Sequence, residues 1–181
     1  ETKQLLRWRG RTLVEHAAES ALELCDTVLV IVGHDAEAVA SAVDHLPVEV
    51  LFNPEYEAGQ GSSVALGAAA LLEASRHFIG EAYFLLADQP AVTPALLRAL
   101  REARGLQPIA LPRHRGHRGA PALFDRDLFP ALAALRGDAG GRALFPQYAD
   151  EIAWVDVEQA AALQDIDTPE AWRRFLARSG G

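Results

Sequence analysis

The sequence is defined first by what it lacks. It has no methionine and one cysteine, Cys25, so neither an internal disulfide nor a cysteine-built zinc cluster is available to it. Cys25 falls in a helical apolar pattern, and buried packing is its expected role. No apolar run reaches the roughly 18 residues that cross a bilayer, and no charged-then-apolar leader opens the chain; a cytoplasmic protein is the expectation, with no membrane partner. No Gly-Lys-Ser/Thr phosphate loop and no G-x-G-x-x-G turn is present. No serine sits in a nucleophile elbow, and none of the six histidines is placed by its neighbours as a base. Because methionine is absent, Glu1 is not read as a translation start; a natural N-terminal stretch is expected upstream.

The 181 residues, half of them hydrophobic and 23% charged, have the size and make-up of one globular domain, read as spanning 1–181. A net charge of −8 argues against nucleic acid as a partner. It leaves room for a phosphorylated small molecule, because local cations can invert the field inside a cleft.

Periodicity then orders the chain. Thr12 to Leu24 reads as an amphipathic helix opened by a capping box, Thr12 with Glu15. Thr27–Val32 reads as a central strand and Asp35–Val43 as a helix capped by Asp35. Val48–Phe52 is a strand broken by Asn53-Pro54, and Ser62–Ala74 is a helix. Tyr83–Ala87 is apolar without alternation, the pattern of a strand buried on both faces. A helix from Thr93 to Arg104 follows, with Pro94 in its first turn, and then a strand over Pro108–Leu111. Pro112–Pro121 has no period and reads as a loop. Ala122–Phe124 is a further strand, Asp125–Leu135 a helix, Arg142–Tyr148 a short helix, Ile152–Val157 a strand and Thr168–Arg178 the last helix. Alternating strands and helices predict a three-layer α/β domain on a mainly parallel sheet.

Four stretches carry candidate chemistry. Asp88 stands where the Tyr83–Ala87 strand ends, the edge at which open α/β sheets bind ligands; a turn cap is the competing reading. Asp165-Ile166-Asp167 places two carboxylates on one side of extended backbone, a pattern that suits a hard divalent cation and equally suits capping of the last helix. Gly59-Gln60-Gly61-Ser62-Ser63 runs into a helix start, where backbone N–H groups face an anion or a serine caps the turn. Arg113 to Pro121 gathers three arginines and two histidines in an otherwise acidic chain, an anion-binding patch or solvated loop charge. Gly137 to Arg142 is a second such loop or a plain turn. With no covalent nucleophile in view, metal-assisted in-line displacement is the favoured chemistry.

Taken in order, Lys3-Gln4-Leu5-Leu6, Asn53 to Ser63, Ala87-Asp88-Gln89-Pro90, Gly116 to Phe124, Gly137 to Arg142 and Asp165 to Pro169 resemble the MobA-like NTP transferases, across essentially the whole chain. The resemblance implies a Rossmann-like sheet of the nucleotide-diphospho-sugar transferase type. Members open with a strand and a Gly-rich triphosphate loop, and this chain begins just before the lysine of that loop, matched by Lys3. It implies phosphate contact by Lys3, Mg²⁺ on Asp88 with Asp167 and Asp165 beside it, and a nucleoside near Gly61, Ser62 and Ser63. An acceptor would lie near Gly116, Gly119, Pro121, Asp138 and Arg142. CTP, or another NTP, and molybdopterin are the implied substrates, a molybdoenzyme a possible partner. A sugar-phosphate acceptor and a non-catalytic molybdenum cofactor carrier are the alternatives.

Overall fold

The computed structural model describes residues 2–74 and 78–179. A short antiparallel pair, β1 (Arg7–Trp8) and β2 (Arg11–Thr12), leads into α1 (Leu13–Leu22). The capping box forms: Thr12 Oγ1 accepts from the Glu15 backbone N–H, and Glu15 Oε2 accepts from the Thr12 N–H at 2.6 Å. Cys25 lies just past the end of α1, half-buried, and burial pushes its thiol pKa up. The chain continues through β3 (Leu29–Val32), α2 (Ala36–Val43), β4 (Glu49–Phe52), α3 (Gln60–Glu73) and β5 (Glu81–Phe84). It closes through α4 (Pro94–Arg104), β6 (Ile109–His114), β7 (His117–Arg118), β8 (Ala122–Asp125), α5 (Phe129–Ala133), β9 (Ile152–Asp156) and α6 (Pro169–Ser179).

The α/β layering is as expected, on a mixed sheet. β3 and β4 pair in parallel, and so do β6 and β9; β8 lies antiparallel between β5 and β6. Period-two alternation sorts the side chains of the larger sheet onto its two faces. Ile109, Leu111, Phe124, Phe84 and Trp154 point to the side covered by α3 and α5, while Ala110, Leu123, Tyr83 and Val155 meet Leu96 and Leu100 of α4 on the other. A third cluster joins α1 and α2 to β3 through Val14, Ala18, Val32, Val39 and Val43.

Several local expectations change. Asp35 sits at the start of α2 with φ 52° and makes no side-chain capping bond; its carboxylate accepts from the Thr2 hydroxyl instead. Pro112–Pro121 is not a featureless loop: β6 runs on to His114 and turns back through Arg115 and Gly116, both at positive φ, into β7. The helix expected over Asp125–Leu135 is α only at Phe129–Ala133, after a 3-10 turn at Arg126–Leu128. The short helix expected at Arg142–Tyr148 is a 3-10 helix at Gly140–Leu144.

β5 also ends early, at Phe84, because its register with β8 stops at Phe84 opposite Ala122. Among the described residues β5 pairs with β8 alone and β3 with β4 alone. Between the two facing edges lies a cavity of about 1130 Å³, walled by Val14 and Ala18 of α1 and by Val64, Gly67 and Leu71 of α3. The cavity runs along both strands and past the end of β5 to Ala87 and Gln89, at the C-terminal edge of the sheet.

Candidate functional site

Three segments distant in sequence converge at that edge. Lys3 comes from a 3-10 turn at Lys3–Leu5, Asp88 from the turn after β5, and Asp165 and Asp167 from the extended backbone before α6. The Ile166 N–H donates to the Asp88 carbonyl at 2.9 Å, which stitches the two acid-bearing loops together. Ile166 itself is buried at 2% exposure and anchors the second loop. Thr168 caps α6 by accepting from the Ala171 N–H. The capping role that competed for Asp167 is thus filled by its neighbour, and the Asp167 carboxylate points elsewhere.

It points at Lys3. The ammonium donates to Asp88 Oδ2 at 3.1 Å and to Asp167 Oδ1 at 2.8 Å. Burial lowers the Lys3 pKa, and its hydrogen bonds to Asp167 and Asp88 with their charges outweigh that, leaving it raised; the lysine is a cation here. Asp88 is the sheltered member of the pair and Asp167 the exposed one, at 17% and 67% side-chain exposure.

Asp165 takes another partner. Gln89, 4% exposed, donates from Nε2 to Asp165 Oδ1 at 2.6 Å. Burial, with the nearby charges of Asp88 and Asp167, raises the Asp165 pKa against the opposing Gln89 bond. Gln89 Oε1 is buried without a hydrogen-bond partner. Among the described residues no three His, Cys, Asp or Glu side chains stand close enough to share a metal ion; the convergence is of two carboxylates on one cationic point. Two carboxylates completed by phosphate oxygens and water are what Mg²⁺ takes, and the Lys3 ammonium already marks where a cation is held. In that sense the residues present fit a divalent ion.

The small-residue stretch is built for close approach. α3 starts at Gln60 after Gly59, with no serine cap. Ser62 is buried and its hydroxyl lies 2.8 Å from both the Glu55 and Gly59 carbonyls, while Asn53 Nδ2 donates to Ser62 Oγ and to Ser63 Oγ. Ser63 lines the cavity; Gly61 and Ser62 form the scaffold behind it. The Gly61 N–H donates to the Gly137 carbonyl at 2.8 Å. A side chain at Gly61 would meet that oxygen at 2.5 Å, and one at Gly59 would run into Asp138. The 136–140 loop therefore rests directly on the 59–61 turn.

The remaining candidates divide. Arg142, Arg118 and Gly119 line the same cavity as Ser63, Gln89 and Asp165. A Cβ at Gly119 would meet the Leu163 side chain at 2.8 Å, so glycine is required by space. Pro121 is buried just before β8. Gly116 is at the exposed tip of the β6–β7 hairpin. Lys3, Asp88 and Asp167 are not among the cavity-lining residues, although Gln4, Ala87, Gln89 and Asp165 beside them are. Asn53 and Gln89 were given no individual role by the sequence. Their signal was faint: an Asn-Pro at a strand end, and a polar residue beside Asp88.

Comparison with known proteins places this arrangement. The model of the MobA-like NTP transferase domain matches residues 1–152. Nicotine blue oxidoreductase of Paenarthrobacter nicotinovorans is 33% identical over 96% of this chain and 87% of its own. The 3-deoxy-manno-octulosonate cytidylyltransferase of Methylococcus capsulatus is 30% identical over 79% of this chain and 53% of its own. The crystal structure of Rv0371c from Mycobacterium tuberculosis superposes with a TM-score of 0.79 at 28% identity, covering 98% of this chain and 90% of that one. The same protein has been solved in complex with manganese, with a TM-score of 0.77 at 27% identity over 98% and 92% of the two chains. The chain belongs to the MobA-like NTP transferase family, a family of nucleotidyltransferases.

Proposed function

We propose that this MobA-like domain is a Mg²⁺-dependent cytidylyltransferase that moves CMP from CTP onto the phosphate of a molybdopterin-type cofactor and releases pyrophosphate. The observation that carries the reading is the pair of carboxylates, Asp88 and Asp167, brought from two loops onto one cationic point beside a cavity lined by Ser63, Arg118 and Arg142. An oxygen of the acceptor phosphate attacks the α-phosphorus of the NTP. The bond from that phosphorus to the bridging oxygen breaks, and pyrophosphate leaves with the electron pair. Asp88 and Asp167 would hold the divalent ion, which neutralises phosphate charge when bound. Lys3 would offer a positive charge to the phosphates, and Arg118 and Arg142 two more from the cavity lining. Positioning and charge complementarity supply most of the catalysis in such a displacement.

The choice of CTP is supported by the likeness to a cytidylyltransferase, and the choice of acceptor by the motif resemblance. A sugar phosphate is the alternative acceptor. The test incubates the protein, as its gene encodes it, with MgCTP, MgGTP or MgATP and either molybdopterin or a sugar phosphate, and measures pyrophosphate. Release with CTP and molybdopterin is expected; no release with any combination sinks the reading. Asp88→Asn should reduce turnover by about 10²–10³-fold, the loss typical of removing one preorganised charge-stabilising group, with an unchanged far-ultraviolet spectrum.

A second reading, oxidoreduction, is favoured by the 33% identity to nicotine blue oxidoreductase. Incubation with a reduced nicotinamide and an oxidised quinonoid dye as hydride acceptor, followed by the absorbance of the nicotinamide, separates the two: its oxidation without pyrophosphate release from any NTP favours oxidoreduction.

A further inference from the structure

We infer that Lys3 is the resident counter-cation of the Asp88–Asp167 pair, and that it keeps a free divalent ion out until a phosphate chain arrives to take the ammonium. The inference rests on the metal-dependent reading above and concerns the order in which its site fills.

One oxygen of each carboxylate, Asp88 Oδ2 and Asp167 Oδ1, is engaged by the same Nζ atom, at 3.1 and 2.8 Å. A hard divalent cation would approach the same oxygens to about 2.1 Å. It would then lie against the ammonium, where repulsion between the two cations opposes its entry. Lys3 and the ion therefore compete for one pair of ligands. Asp165 does not relieve the competition: its Oδ1 is engaged by Gln89, and among the described residues no third acid stands close enough to share an ion with the pair. Gln89 Oε1, buried and unpartnered at the same edge, is an acceptor that the resting arrangement leaves unsatisfied.

A polyphosphate changes the balance. Its oxygens offer the ammonium a new anionic partner and supply the cation with further ligands, so the lysine leaves the carboxylates as the metal takes them. Each ligand then strengthens the other, and by linkage the coupling is reciprocal. The site fills with a metal–nucleotide complex and stays closed to the metal alone.

The test is Mn²⁺ binding to the phosphate-free protein, followed by the loss of the free-ion electron paramagnetic resonance signal. Lys3→Met removes the competing charge and should tighten Mn²⁺ binding on the order of tenfold, inside the usual range of coupling between sites. Lys3→Arg keeps the charge and should bind Mn²⁺ as weakly as the wild type. Lys3→Gln serves in place of the methionine variant if that variant does not fold. Adding Asp88→Asn to Lys3→Met should return binding to the weak level. Equal or weaker Mn²⁺ binding by Lys3→Met, or a gain that survives Asp88→Asn, overturns the inference. If no variant binds Mn²⁺, the inference falls together with the metal-dependent reading. If Mg²⁺-dependent turnover is present while Lys3→Met binds Mn²⁺ no better, the inference falls alone.

Discussion

β3 and the first half of β6 are both short apolar runs, and the molecule treats them differently. β6 lies between β8 and β9, and its Ile109, Ala110 and Leu111 are fully buried, alternating between the α3/α5 face and the α4 face. β3 pairs with β4 alone among the described residues, and Leu29, Val30 and Ile31 are only half-buried beside the cavity that separates them from β5. The difference comes from neighbours more than from composition: an apolar side chain is shielded by the strands and helices around it. The five-stranded sheet carries the larger share of the fully buried side chains. The half that carries β3 and faces β5 is where apolar surface remains open.

The largest expected effect tests that contrast directly. Phe124→Ala removes a fully buried ring that meets Phe84 edge-on and Phe145 in a stack, and it should cost about 3–5 kcal/mol in urea unfolding. Ile31→Ala, at the cavity wall, should cost less than about 2 kcal/mol because part of that side chain is already in contact with open space. Equal costs would erase the distinction between the halves.

A finer contrast lies within α3. Gly61→Ala would put a methyl 2.5 Å from the Gly137 carbonyl, and overpacking of this kind should destabilise by about 1–3 kcal/mol and lower turnover as the loop is displaced. Gly67→Ala would meet only the Ile31 side chain, with Cδ1 and Cγ1 both at 3.7 Å. At that helical position alanine should stabilise by up to about 1 kcal/mol. Parallel urea curves for the two variants check both signs.

The smallest effect concerns the α1 capping box, and its pH dependence has a definite direction. Burial raises the Glu15 pKa, but the Thr12 side-chain and backbone hydrogen bonds overcome this and hold it below the ordinary glutamate value. A carboxylate depressed in the folded state adds stability above its unfolded pKa and loses it as pH falls through the folded one. Glu15→Gln should therefore cost about 1 kcal/mol at neutral pH, and the gap to wild type should close on acidification below the glutamate range. A gap that stays constant down to pH 2 would show that the carboxylate charge contributes nothing.

Much of this was written locally and could be read locally. Thr12 with Glu15, the β-branched Thr27–Val32 run and Pro94 at a helix start are signals carried by a few adjacent residues, and the elements formed where they pointed. The acids Asp88 and Asp167 were visible as carboxylates at expected strand exits. What could not be read is which partner each would take, since Lys3 reaches across 85 residues to one and 164 to the other. Asp165 and Asp167 looked equivalent, two residues apart on one extended stretch, yet one is held by a buried glutamine and the other by the lysine. The β6–β7 hairpin escaped notice because Arg115 adopts a positive φ that its side chain does not advertise. β5 was expected to reach Ala87, but strand length is set by the partner's register, and Ala122 ends it at Phe84.

The contact between the Gly61 N–H and the Gly137 carbonyl reaches beyond stability. It makes the 59–61 turn and the 136–140 loop a matched set, each shaped to the other's backbone, although 76 residues separate the bonded pair. An attempt to redirect the domain to a new acceptor by grafting the second loop from a relative would import a surface cut for a different first turn. On the proposed reading of these segments as nucleoside- and acceptor-facing, such grafts should succeed when both travel together and fail when either travels alone, and substrate range would be inherited in paired segments.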